Sequence, residues 1–181
     1  MVLDGTHPET IEACRRGEPE AFEALFQTYR DRVYSIALRY TADPSAALDI
    51  AQDVFLKLYS SIAAFRGDST FETWLYRMVV NRCLDHRRGL LRRTPIVATL
   101  VDAGESVLNS LLRAETARGI EQAVAKLPRE QRIAVVLRYT EGRSYEEIAD
   151  ILGCSRGTVA SRLSRAHRAL ERRLNSYRRG V

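Results

Sequence analysis

The chain has 181 residues, of which 45% are hydrophobic and 28% charged, a balance that is typical of a globular protein. Its 10 glycines and 5 prolines are too few for a collagen-like or low-complexity chain. The net charge is +5, and only Lys57 and Lys126 among the 28 basic residues are lysines. Arginine suits bidentate contact with phosphate and guanine, although a GC-rich genome would produce the same preference without a functional cause.

The sequence also lacks several common signals. No apolar run approaches the roughly 18 residues of a membrane span, and the start has no basic-then-apolar stretch, so we expect a cytoplasmic protein without membrane insertion. Cys14, Cys83 and Cys154 form no CxxC pair, which argues against a disulfide framework or metal site. Without a phosphate-binding loop, a GxSxG motif or a nucleophile–base pair, we expect no catalytic residues, no cofactor and no enzyme activity.

The first half predicts three helices within residues 19–88. The first has an apolar face that recurs at steps of three and four, and Asp43-Pro44 then provides an N-cap and a first-turn proline for the second. The glycine and polar residues at 65–69 interrupt the period before a third helix that starts near Thr70. The first apolar face comprises Phe22, Leu25, Phe26, Tyr29, Val33, Ile36, Ala37 and Tyr40, and the inner stripe of the second helix comprises Ala47, Ile50, Val54, Leu58 and Ile62.

The helical period fades over residues 89–112, where glycines and a proline indicate a flexible linker. The sequence therefore predicts an all-α fold of two small helical domains, at 10–88 and 113–175, joined by that linker. Each domain can bury a small core, although about 60 residues are marginal for independent stability.

The second half predicts a helix-turn-helix. A helix follows Leu127-Pro128, and Gly142 is expected to cap its C terminus. Ser144 and Glu147 form a capping box for a short helix, and Ser155 caps a longer one after a tight turn. In this layout the second helix lies in the DNA major groove.

One face of the last helix is predicted to contact DNA. Its apolar stripe consists of Val159, Leu163, Ala166 and Leu170. Small residues near the helix start allow close approach to bases, and arginines can bind phosphate and guanine. A basic helix alone would more often be a solvated face, but the capped helix and turn before it favour DNA binding. The candidate DNA contacts are Arg156, Thr158, Ser161, Arg162, Arg165 and Arg168.

The motifs at 127–132, 145–149 and 157–163 resemble the fourth conserved region of bacterial sigma factors, in the extracytoplasmic-function group of the sigma-70 family. Independently, 49–55 resembles the polymerase-docking segment of the second conserved region. The promoter-melting segment of that region is similar to 65–69, 73–77 and Asn81. The resemblance covers about residues 10–88 and 113–175, and two motif sets in the correct order are more specific than either alone.

The resemblance implies a division of labour within the chain. It implies that Asp49, Gln52 and Asp53 dock on core RNA polymerase, directing promoter-specific initiation. It also implies that the first half melts the minus-ten promoter element and holds a flipped base of the single strand, which needs stacking and hydrogen bonds to base edges. The minus-ten residues implied are Phe65, Arg66, Ser69, Trp74, Arg77 and Asn81. For Trp74 the alternative, a core position, stays open.

The same resemblance assigns the helix-turn-helix to duplex DNA at the minus-thirty-five element and implies an anti-sigma factor as a partner. Two positions depart from the family pattern, because Ala160 stands where a basic residue is usual and His167 where arginine is frequent. Both changes weaken the phosphate contacts expected there.

Two other functions fit part of the chain. A free-standing regulator with a LuxR-type DNA-binding domain would explain residues 144–169, but it would not explain the motifs at 49–55 and 65–81. A sigma-like protein that docks on polymerase without initiating transcription is the third possibility.

Overall fold

The computed structural model describes residues 8–86 and 119–178, and within these ranges it contains helices and no strand. The predicted all-α fold class is confirmed, while the linker predicted at 89–112 lies outside the described residues. The helices of the first half are α1 (Pro8–Arg15), α2 (Pro19–Thr41), α3 (Pro44–Ser61) and α4 (Phe71–Asp85), with a short 3-10 turn at Ile62–Ala64. The second half contains α5 (residues 119–125), α6 (Arg129–Tyr139), α7 (Tyr145–Leu152) and α8 (Arg156–Arg178).

The core of the first half is built by α2, α3 and α4. Every residue of the predicted α3 stripe is buried, as is every residue of the predicted α2 face other than Phe22 and Phe26. Phe22 and Phe26 are half-buried and pack edge-on against Tyr59 and Phe55 of α3, with ring centroids 4.9 and 4.7 Å apart. The predicted start of α3 is also confirmed, since the Asp43 carboxylate accepts hydrogen bonds from two backbone N–H groups.

Helix α1 was not predicted from the sequence. It has only 8 residues, too few for an apolar period to be recognised, and its single buried side chain is Cys14. It packs against α2 and the 3-10 turn, so it closes one end of the first half.

The second half contains the predicted helix-turn-helix, formed by α7 and α8. Ser144 and Glu147 make the reciprocal hydrogen bonds of a capping box, and the Oγ of Ser155 accepts from the Thr158 N–H at 3.1 Å. Gly153 adopts φ 61°, which turns the chain between the two helices. The prediction for Gly142 was wrong in one respect, because α6 ends three residues earlier, at Tyr139. Gly142, with φ 66°, instead allows the following loop to fold back on the helix, where the Arg143 N–H reaches the Leu137 carbonyl.

Replacing Ser144 with alanine is expected to lower the free energy of unfolding by about 1 kcal/mol, because the N–H of Glu147 loses its acceptor. Urea denaturation followed by circular dichroism measures this change. Ser60→Ala is the control, since the exposed Ser60 hydroxyl only returns to the Lys57 carbonyl within α3. Equal unfolding midpoints for the two variants would contradict the role of the capping box.

The two halves pack against each other in the structure. Helix α4 contacts α7, and α2 contacts α6. At the second of these contacts, Arg132 donates to the Tyr40 carbonyl at 2.6 Å and its guanidinium lies over the Tyr40 ring. Arg129 reaches the Tyr40 hydroxyl at 3.2 Å. The contact surface between the halves is therefore rich in arginine.

Candidate functional site

The outer face of α3 exposes large apolar side chains beside acids. Leu48, Leu56 and Tyr59 are 60%, 62% and 65% exposed and lie on the side of the helix opposite its buried stripe. Asp49 and Gln52, predicted as docking residues, are exposed on the same side. We call these five residues the docking face. Exposed apolar side chains grouped on one helix are a common mark of a protein-binding surface.

Sequence reasoning missed the apolar part of the docking face. Leu48 and Leu56 do not belong to the inner stripe of α3, and that displacement was the signal that would have identified them. Asp53 lies at the edge of the face and is half-buried, because its carboxylate accepts from Arg82 of α4, with the Nε at 2.7 Å. Within residues 8–86 and 119–178, the exposed side chains of Asp49 and Gln52 have no such partner.

The predicted minus-ten residues surround the start of α4. Phe65 and Trp74 are half-buried, with ring centroids 5.1 Å apart, and both contact Phe71. Trp74 therefore packs against the core along one side, while the rest of the ring stays accessible. Arg66 is exposed in the loop before the helix, and Ser69 is half-buried beside it.

Two further predicted residues lie farther along α4. Asn81 is exposed two turns beyond Trp74, where a ligand could reach its amide. Arg77 lies between them, but its Nε donates to the Asp150 carbonyl of α7 at 2.9 Å. The structure thus brings five of the six predicted residues to one accessible region and engages the sixth with the second half.

The predicted DNA contacts on α8 differ in their surroundings, and Thr158 is half-buried with its hydroxyl 2.9 Å from that of Ser155. Arg165 and Arg168 are exposed, as is Ser161, whose hydroxyl returns to the Thr158 carbonyl at 2.9 Å. Arg156 is exposed and pairs with Glu146 of α7 at 3.0 Å. Arg162 instead points inward and binds the Glu130 carboxylate of α6. Arg165 and Arg168 are therefore the strongest candidates for phosphate contact.

The basic surface extends beyond the predicted residues. An open groove of about 560 Å³ lies between the start of α6 and the second half of α8, and sequence reasoning missed its outer arginine, Arg172. The spacing of Arg165, Arg168 and Arg172 places them on one side of the helix and could have revealed this extension. His167 is one of the two positions that depart from the family pattern, and its ring lies within hydrogen-bond distance of the Tyr139 hydroxyl, at 2.6 Å.

In the ranges 8–86 and 119–178, no cluster of three or more His, Cys, Asp or Glu side chains could bind a metal ion. No helix there combines the length and apolar character of a membrane span.

Comparisons with known proteins agree on one family. The model of sigma-70 region 2 matches residues 25–93, and that of sigma-70 region 4 matches residues 117–170. The RNA polymerase sigma-H factor of Pseudomonas aeruginosa is 36% identical over 96% of each chain. The ECF RNA polymerase sigma-E factor of Haemophilus influenzae is 33% identical over 96% of this chain and 98% of its own. Among solved structures, CnrH in complex with the cytosolic domain of CnrY matches with a TM-score of 0.71 and 25% identity, covering 93% of this chain and 96% of that one.

Proposed function

Because this chain belongs to the extracytoplasmic-function group of the sigma-70 family, it is a promoter-recognising sigma factor, and we propose how its surfaces divide that work. Residues 10–88 would dock on core polymerase and read the minus-ten element, and residues 113–175 would read the minus-thirty-five element. The observation that carries this proposal is the presence of two separate surfaces in one chain. The apolar docking face of α3 suits a protein, and the arginine face of α8 suits DNA.

The docking face has the composition of a protein interface. Its exposed leucines and tyrosine would be covered on binding, and burial of apolar area is the dominant favourable contribution to most protein–protein association. Asp49 and Gln52 border the apolar side chains and would meet basic groups of the polymerase. Asp53 would join them if it exchanged Arg82 for a basic group of the polymerase.

The side chains at the start of α4 and along it offer the stacking surfaces and hydrogen-bonding groups that binding of a flipped base requires. The accessible side of Trp74 and the ring of Phe65 offer stacking surfaces, and Asn81 offers an amide that both donates and accepts hydrogen bonds. Arg66 lies in the loop beside them, where it would contact the backbone of the melted strand. Arg77 would contribute once it is released from Asp150.

The proposal extends to partners and place of action. We infer that catalysis is left to the polymerase and that the protein acts in the cytoplasm, where the polymerase transcribes. We also propose an anti-sigma factor as its regulator. The matched CnrH was solved with the cytosolic domain of a second protein, and the exposed docking face would accept a partner that competes with polymerase.

Reconstitution tests the proposed function directly. The purified chain is mixed with core polymerase and genomic DNA fragments, and new transcript starts are mapped. We expect initiation at a defined set of promoters only when the chain is present. Tight binding to duplex DNA without any polymerase-dependent transcript would instead favour a free-standing regulator. Binding to polymerase without transcripts would favour a docking protein that does not initiate.

Replacing Arg165 or Arg168 with alanine is expected to weaken minus-thirty-five binding uniformly across sequences. Each variant should reduce the slope of log affinity against log salt by about 1 for each lost phosphate contact. Fluorescence anisotropy over a salt series measures this slope. Arg16→Ala is the control, because Arg16 is also an exposed arginine but pairs with Glu18 in the first half. If the slope of log affinity against log salt equals that of the unsubstituted chain, neither arginine contacts a phosphate.

A further inference from the structure

The groove between the start of α6 and the second half of α8 is strongly cationic. Its volume is about 560 Å³, and Gln131 of α6 lines it opposite α8. Among the described residues that line it, Glu171 is the single acid. We call this recess the arginine groove, after the four arginines of α8 in its lining: Arg165, Arg168, Arg172 and Arg173.

The positive charge of the arginine groove is concentrated on the exposed side of α8. Arg165, Arg168 and Arg172 are exposed, and like charges three and four residues apart on a helix repel each other. The Nε of Arg165 donates to the Ser161 carbonyl at 3.1 Å, and that of Arg172 donates to the Arg168 carbonyl at 3.2 Å. These carbonyls belong to the same helix and carry no net charge to offset the guanidinium groups. An anion bound in the groove would therefore relieve the repulsion.

The outer part of the arginine groove lies far from the start of α8. In a helix-turn-helix the first turns of the second helix contact the bases, and the major groove of DNA is about 12 Å wide. At 1.5 Å per residue, Arg172 lies about 24 Å along the helix axis from Arg156, the first residue of α8. Reading bases therefore does not account for Arg172 and Arg173.

The lining of the arginine groove suits a peptide better than a duplex. Pro128 and Ala169 contribute apolar surface to it, and the aliphatic stems of the arginines add more. A rigid duplex cannot enter a recess between two helices, whereas a single peptide chain can. A segment that carries carboxylates beside apolar side chains would contact both the guanidinium groups and the apolar surface. Arginine clusters and helix grooves are both recurring means of binding such segments.

We propose that the arginine groove is a docking site for an acidic, partly apolar segment of a partner protein. Because Arg165 and Arg168 also belong to the predicted DNA face, a bound segment would exclude the minus-thirty-five element from them. This competition rests on the proposed function, whereas the binding of an acidic segment does not. The groove would then be a second protein-binding surface, in the opposite half of the chain from the docking face of α3.

Peptide binding is tested on the full chain without polymerase or DNA. The probe is a fluorescein-labelled peptide of about 14 residues, or four turns of helix, with leucines at every third or fourth position among glutamates. Its control replaces every glutamate with glutamine, which removes the charge and keeps the shape. In fluorescence anisotropy we expect saturable binding of the acidic peptide alone, weakening as salt is raised. Equal binding of the two peptides, or no binding of the acidic one, would overturn the proposal.

The site of binding is tested with Gln131→Glu. Gln131 lies in the first turn of α6, where the helix dipole favours an acid, so the variant should fold. The new carboxylate should weaken peptide binding about twofold to fivefold, the effect of one exposed charge pair. Arg172→Glu should weaken it about fourfold to 25-fold, because a repulsion replaces an attraction.

Gln27→Glu is the matched control for these variants, because it places the same charge at an exposed amide of α2. It should leave the affinity for the acidic peptide unchanged. If Gln131→Glu and Arg172→Glu bind the peptide as tightly as this control does, the peptide does not occupy the arginine groove and the proposal is wrong.

Competition with DNA tests the consequence for promoter binding. A minus-thirty-five duplex from a promoter mapped by reconstitution should displace the labelled peptide, since both would use Arg165 and Arg168. Gln131→Glu should change duplex affinity by less than about twofold, because salt screens charges outside the contact. Equal losses for peptide and duplex would make the groove part of the DNA surface, and simultaneous binding of both would contradict the shared arginines. The peptide measurements decide on the groove even if reconstitution maps no promoter.

Discussion

Replacing Leu56 with arginine is expected to weaken binding of core polymerase by roughly 30-fold to 1,000-fold, the range that a loss of 2–4 kcal/mol at an interface hot spot produces. Leu56 is 62% exposed on the docking face, so the change removes apolar contact without disturbing the core. The new guanidinium would also repel the basic groups that Asp49 is expected to meet. Fluorescence anisotropy of the labelled chain, titrated with core polymerase, measures the loss.

The matched control for this variant is Ala24→Arg. Ala24 is exposed on α2, about half a turn round the helix from Phe22 and Phe26, which face α3. The substitution adds the same charge to the same half of the chain but away from α3. Similar losses of affinity in both variants would mean that overall charge, rather than the docking face, governs the association.

Replacing Asn81 with alanine is expected to reduce promoter opening by about 10-fold to 100-fold while core binding stays intact. Extruding a base costs a few kcal/mol, and the amide would repay part of that cost through hydrogen bonds to the base edge. Permanganate reactivity of thymines in the minus-ten element measures opening. Because Asn81 is exposed, the variant should unfold at the same urea concentration as the unsubstituted chain.

Gln27→Ala is the control for the loss of an amide, because Gln27 is exposed on α2. A second readout sharpens the test, since a base-edge contact must discriminate between bases. Promoters with each base at the flipped position should differ less in the Asn81 variant than in the unsubstituted chain. If the variant keeps the base preference of the unsubstituted chain, Asn81 does not contact the flipped base.

The helices and their caps were accessible to sequence reasoning because their signals are local. The α3 stripe, the cap of Asp43 and the capping box of Ser144 depend on spacings within one or two turns, and all three are confirmed. The end of α6 was misplaced because Gly142 acts through a loop that folds back on the helix rather than through the helix terminus itself.

Contacts between segments that are distant in the chain could not be predicted from the sequence. Nothing near Glu72 indicates that it is buried against Arg143, 71 residues away. For the same reason Arg77 and Arg162 looked like free cations, although one binds the Asp150 carbonyl and the other Glu130. A periodic pattern shows which side of a helix is polar, but the partner of a polar side chain depends on tertiary packing.

The match to sigma-70 region 2 bears on the alternative of a LuxR-type regulator. Such a protein would share the helix-turn-helix of α7 and α8 but has no use for a docking segment followed by a promoter-melting segment. Residues 25–93 match sigma-70 region 2 as a unit, and that range contains the motifs at 49–55 and 65–81. The first half of the chain therefore decides between these functions.

The position of Trp74 makes its intrinsic fluorescence a probe of strand binding. It is the single indole of the chain, and it lies half-buried against Phe65 at the edge of the loop that would receive a melted strand. Any nucleotide that slides over that ring would quench its emission, and any loss of the aromatic packing would shift the emission maximum to longer wavelength. Stopped-flow fluorimetry could thus time strand capture in the unlabelled protein.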